Sequence, residues 1–148
     1  VPEKRKEITT EGGLNIKKNY NLIKNIIKKL KRKKIRVSLF IEPSIKDIQL
    51  SKHLNANCIE IHTGNFCNLY NQGKKSIDSF NKIKKSADFA QKIGLEVHAG
   101  HGLTINTAAI ISKIDSIKEF NIGHALISDS IFFGLSVAIK KFKKAINS

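Results

Sequence analysis

The chain has 148 residues, 41% of them hydrophobic, enough for one domain with a packed core. No apolar run nears the roughly 20 residues that span a bilayer, and the charged segment Val1 to Glu7 is not expected to be a signal peptide, so membrane and secretory classes are set aside. A net charge of +15 would suit nucleic acid, but all of the 27 basic residues except Arg5, Arg32 and Arg36 are lysine and there is no tryptophan, whereas phosphodiester clamps use arginine forks and stacking aromatics.

Val1-Pro2-Glu3-Lys4-Arg5 reads as the end of a strand whose beginning lies upstream. Thr9, Thr10, Glu11 and the Gly12-Gly13 pair follow it. Lys17 to Lys34 has the spacing of an amphipathic helix, with Leu22, Ile23, Ile26, Ile27 and Leu30 on its apolar face. Its Lys28–Lys34 run suits a solvated helix C-terminus. Arg36 to Ile41 is a short apolar strand, ended by Glu42-Pro43-Ser44, and a helix is predicted from about Ile45 to Leu54. Cys58 to His62 is the next strand, closed by Thr63-Gly64. A long helix follows from about Lys75 to Ile93, with Ile77, Phe80, Ile83, Ala87 and Ala90 inward and Gly94 as its stop. Leu95 to His98 is a third strand. Thr104 caps a helix across Asn106 to Ile114. Phe120 to Ile122 is a last short strand, followed by Gly123-His124, a helical turn and a helix from Ile131 to Ile146.

Strand and helix alternate four times, which implies parallel strands joined by right-handed crossovers. Such a chain is half a barrel or a small doubly wound sheet. The abrupt strand-like start favours the half-barrel. The expected fold is therefore α/β, a partial (β/α)8 barrel of TIM type holding only the C-terminal strands and helices, with residues 1–148 as one domain lacking the first strands. Cys58 and Cys67 have neither metal-ligand spacing nor a disulfide framework. They read as free thiols of a cytoplasmic protein.

Four of the five histidines fall on or just after strands, with Glu60 and several glycines. In a parallel barrel that end of the strands binds substrate. The strand Cys58-Ile59-Glu60-Ile61-His62 alternates, so Glu60 shares a face with Cys58 and His62, opposite the isoleucines. With the isoleucines against the helices, Glu60 points into the barrel. A carboxylate there is costly unless paired or used. The competing reading is an ion pair with a lysine within a barrel layer. His62 fits a hydrogen-bonded core histidine, and His98 a structural one. In Ala99-Gly100-His101-Gly102 the glycines permit close backbone approach and positive φ, and His101 between them can titrate near neutrality. Gly102 and Gly123-His124 follow the last two strands, where barrels hold phosphate with loop amides and a helix N-terminus. Plain turns at these glycines are the alternative.

In order and spacing, VPEKRKEITTEGGL, RVSLFIEP, IEIHTG, VHAGHGLT and FNIGHALI resemble the pyridoxine 5'-phosphate synthase family, from Val1 to about Ile127. The resemblance implies a TIM barrel, usually octameric, that condenses 1-deoxy-D-xylulose 5-phosphate with 3-amino-2-oxopropyl phosphate. It implies that Thr9 contacts the deoxyxylulose phosphate, Glu60 stabilises transition states and His101 donates a proton. Gly102, Gly123 and His124 then bind the amino-ketone phosphate. No cofactor, metal, membrane or nucleic-acid partner is expected. An earlier part of the family barrel, with further strands and acid/base groups, has no counterpart here. The family commonly has Gly-Arg after its NIGHAII motif, where this chain has Ser128-Asp129. An inactive fragment is thus one alternative, and a basic nucleic-acid-binding domain a weaker one.

Overall fold

Apolar segments bounded by turn residues pair into a single sheet. In the computed structural model, which describes Val1 and residues 12–147, the strands are β1 (Ser38–Ile41), β2 (Cys58–His62), β3 (Glu96–Gly100) and β4 (Ile117–Asn121). They lie side by side in sequence order, and every neighbouring pair is parallel. A doubly wound sheet reverses its strand order at a switch point. This one steps in one direction, as a barrel wall does.

Helices supply the crossovers. α1 (Tyr20–Arg32) precedes β1, and α2 (Ile45–His53) joins β1 to β2. α3 (Gly64–Asn71) and α4 (Ile77–Lys92) lie between β2 and β3, and α5 (Ile105–Ile111) between β3 and β4. α6 (His124–Phe133) and α7 (Leu135–Ile146) follow β4. No helix among the described residues is long and apolar enough to cross a membrane.

The strand period sorts side chains between two faces. Leu39, Ile41, Ile59, Ile61, Val97 and Ala99 join Ile48, Ile83, Ala87, Ala90 and Ile111 from the helices in the core. Phe40, Glu60, His98 and Glu119 stand in register across the other face. The predicted inward direction of Glu60 relative to the isoleucines therefore holds.

Several predicted boundaries and faces shift. α1 buries Ile23 and Ile27, but Leu22 is 61% exposed and lines a groove with Ile26 and Leu14 beside the β1 edge. Ile77, the first residue of α4, is exposed rather than inward. α3 was not expected, because its glycine and asparagines weaken helical propensity. Burial of Phe66 and Cys67 carries it instead. β4 starts at Ile117, earlier than predicted, because Lys118 and Glu119 mask an edge strand's apolar pattern. The final helix is two helices, divided at Gly134, whose φ is 76°.

α6 leaves Ile131 and Phe132 each 79% exposed, and Lys141 Nζ stands 3.3 Å from the centre of the Phe133 ring. With β1 and β4 as the outer strands among the described residues, the 148-residue chain is expected to self-associate in sedimentation velocity. Ile131→Lys with Phe132→Lys should raise the monomer fraction. A monodisperse monomer from the unaltered chain would contradict this.

Candidate active site

Parallel pairing delivers the carboxyl ends of all four strands to one side, and the polar residues gather there. Thr63, directly after β2, is fully buried. Its hydroxyl faces the carbonyls of Gly100 (2.9 Å) and His101 (2.7 Å), while its backbone N–H donates to Gly100 O at 2.9 Å. The β3–α5 loop is thus fastened to the end of β2. The fastening holds His101 at a φ of 76°, a left-handed conformation that costs a non-glycine residue roughly 1–2 kcal/mol. Gly102 is also left-handed, and a Cβ there would lie 3.2 Å from Cys67 Cβ. The permissive glycine is therefore Gly102. Gly100 lies on β3, and its missing side chain serves as clearance.

Gly64 leaves room for two imidazoles. A Cβ at this position would stand 2.8 Å from His101 Cδ2 and 2.9 Å from His62 Nε2. The two rings lie 4.6 Å apart between centroids, and Phe40 meets His62 edge-on at 5.2 Å. His62 Nδ1 is 3.1 Å from Glu42 Oε1, but out of line for a hydrogen bond. Among the described residues neither buried ring nitrogen has a hydrogen-bond partner, unlike the hydrogen-bonded core histidine anticipated. Glu42 Oε1 accepts instead from the backbone N–H of Gly13 at 2.9 Å, and Leu14 N–H donates to Phe40 O at 2.7 Å. The Gly12-Gly13 segment is thereby docked on the end of β1.

Glu60 is half-buried. Its Oε2 accepts from Asn121 Nδ2 at 2.9 Å. Burial pushes the Glu60 carboxyl above its ordinary value, opposed by the Asn121 hydrogen bond and the nearby His98. Among the described residues no lysine pairs with it, so the lysine ion-pair reading of Glu60 finds no support. The ion network runs elsewhere. Arg36 bonds Glu96 and holds its carboxyl below the usual range. Glu96 Oε1 lies 2.9 Å from His98 Nε2, and His98 Nδ1 lies 3.3 Å from Glu119 Oε1. His98 is buried within this chain of charges, the structural role expected of it.

A cavity of about 410 Å³ opens between the ends of β3 and β4. His101, Gly102 and Thr104 line it from one side, and Asn121, Gly123 and His124 from the other. Four of the six residues singled out in the sequence thus border one space. Glu60 reaches its rim through Asn121. Thr9 lies outside the described residues. Thr104 caps α5, and its hydroxyl accepts from Thr107 N–H at 3.4 Å. No side chain caps α6 at Gly123, so its first-turn amides face the cavity end without a competing side-chain acceptor. Asp129 is further along α6 and is not a lining residue. Sequence reasoning placed Thr63 only as the residue closing β2, and missed Asn121 and Glu42. An asparagine ending a strand two residues before Gly123-His124 was the available signal for Asn121.

Burial raises the Glu60 carboxyl in the folded state, so the folded chain holds that proton more tightly than the unfolded chain. Its contribution favours folding at low pH and is lost as pH rises through the folded value. Glu60→Gln is accordingly expected to resist urea better than the parent at about pH 7, with the advantage shrinking towards about pH 4. Equal or lower stability of the variant at neutral pH would contradict that sign.

A family model described as pyridoxal phosphate biosynthesis protein PdxJ matches residues 1–148. A pyridoxine 5'-phosphate synthase of Pelagibacter ubique is 52% identical over 147 residues, covering 99% of this chain and 62% of the relative. Proteins of the same name from Sulfurihydrogenibium sp. and Ehrlichia chaffeensis are 47% and 43% identical, with 59% and 60% of their lengths covered. The chain thus spans about three-fifths of these curated relatives. The match along every residue, on a parallel sheet whose strand ends carry the family's motifs, places this chain in the pyridoxine 5'-phosphate synthase family.

Proposed function

We propose that the chain supplies part of a pyridoxine 5'-phosphate synthase active site, which condenses 1-deoxy-D-xylulose 5-phosphate with 3-amino-2-oxopropyl phosphate. The observation that carries this reading is the shared cavity. His101 and Gly102 meet Gly123 and His124 across it, and Glu60 is held at its rim by Asn121.

The residue chemistry fits the reaction. Joining an amine to a ketone passes through an iminium-like cation, and later steps expel phosphate and water. An ionised Glu60 lowers the energy of developing positive charge in a partly desolvated site. Asn121 favours the ionised form against the cost of burial. His101, held with its backbone fixed, donates a proton to a departing oxygen. The amides at Gly102 and at the uncapped start of α6, with His124, receive the amino-ketone phosphate without an arginine. Thr9 takes the other substrate, as the family resemblance implies. The remaining acid/base groups and strands come from the part of the family barrel that precedes Val1. The assembled protein is a homo-oligomer acting on small phosphorylated substrates.

The test is product formation from both substrates, using the 148-residue chain and a version extended upstream to the relatives' length. The extended protein is expected to make pyridoxine 5'-phosphate and the short chain to make none detectable. In the extended protein, His101→Ala and Glu60→Gln should each lower kcat by about 10²–10⁴-fold. Comparable turnover by both lengths would refute the need for the upstream part and the inactivity of the short chain. Unchanged kcat in both variants would refute the site.

A further inference from the structure

We infer that Asn121 is a positioning residue for Glu60, fixing the carboxylate at the cavity rim by an amide hydrogen bond that crosses the intervening strand. The inference rests on the role proposed for Glu60 above.

Glu60 is on β2 and Asn121 on β4, with β3 between them. Two strand spacings separate the backbones, about 10 Å in all. A bond between their side chains must pass over β3. Gly100 makes that passage possible. It pairs with Asn121 on one side and with His62 on the other, two residues beyond the Glu60–His98 pair and so one layer up on the same face. The Glu60 side chain therefore leans towards the cavity, over a strand residue with no side chain. A Cβ at Gly100 would collide with Glu60 Oε1, lie 2.9 Å from the carboxyl carbon and stand 3.2 Å from Asn121 Cβ. Three residues on three adjacent strands form one device.

Its chemistry suits a carboxylate that must stay charged and available. A lysine at the end of β4 would hold the carboxylate but cancel its charge. Aspartate would repel it and offer no donor. An amide donates one hydrogen bond, leaves the negative charge intact and leaves the second oxygen, Oε1, to face a substrate cation. The other charged groups near Glu60 are placed differently, and the Val1 amino group acts on it through its charge alone. His98 and Glu119 lie in its own layer and are engaged with each other and with Glu96. Phe40, its partner on β1, is apolar, and His62 with Glu42 lies beyond it towards the cavity. Asn121 is therefore the donor that sets where the carboxylate points. It also lines the cavity, so the same residue couples the strand that carries the phosphate loop to the strand that carries the carboxylate.

The experiment uses the protein extended to the relatives' length, labelled with ¹³C-carboxyl glutamate. The Glu60 carboxyl band is identified in the infrared spectrum by difference against Glu60→Gln. Asn121→Ala is expected to move the Glu60 titration upward and to lower kcat by roughly tenfold, with KM for both substrates nearly unchanged. The acid limb of the kcat–pH profile should shift upward with it. Asn121→Asp should exceed Asn121→Ala in both effects, although it is closer to asparagine in size. A working synthase in which Asn121→Ala leaves the Glu60 band and kcat unchanged overturns the inference. A rise in KM with unchanged kcat also overturns it, since that is the signature of a simple binding contact. A protein that makes no product, but whose Glu60 band still moves with Asn121, refutes the synthase reading and keeps the hydrogen-bonded clamp.

Discussion

Parallel pairing in sequence order is the constraint on which the rest depends. Each strand must be re-entered from the same end, so each crossover returns the chain through a helix on the outer face. All four carboxyl ends then arrive together, and residues far apart in the sequence become neighbours. Thr63 meets the carbonyls of Gly100 and His101 across separations of 37 and 38 residues, and Glu60 meets Asn121 across 61. None of these contacts belongs to a local element. They exist because β3 sits between β2 and β4, with the β3–β4 register shifting once between Val97 and His98.

The two faces of the sheet follow different rules. On the helix side, isoleucine, valine and alanine fill space. On the other side, the layer Phe40, Glu60, His98 and Glu119 is largely ionisable, and Arg36, Glu96, His98 and Glu119 form one chain of contacts below the cavity. The overall excess of lysine has no part in this. Lysines populate exposed helix positions, and Lys84 with Asp88 is one of the few that pair. Net charge and site chemistry are set by separate groups of residues.

Alternation made the strands legible, and strand alternation with glycine-flanked histidine made Glu60 and His101 legible. The Cys58–His62 segment fixes the Glu60 direction within five residues. What stayed hidden depended on tertiary context. α3 has poor intrinsic propensity and forms because Phe66 and Cys67 find a buried place. The split between α6 and α7 turns on the left-handed Gly134 inside an apolar stretch that reads as continuous helix. Asn121 acquires significance only when Gly100 opens a path to Glu60, which no spacing rule contains. The purpose of Gly100 was misread for the same reason. Flexibility is the usual inference from a glycine, whereas here the space left by an absent side chain is what matters.

Among the described residues β4 is an edge strand of the sheet, and it carries Asn121. Edge strands open at lower free energy than central ones. When β4 frays, Glu60 loses its donor and the cavity loses one wall, yet Ile59, Ile61, Val97 and Ala99 stay packed against the helices. The chain can therefore hold its native core while its candidate site is dismantled. An intact candidate site is thus a narrower condition than foldedness here, and whatever covers the outer side of β4 governs it from outside the cavity.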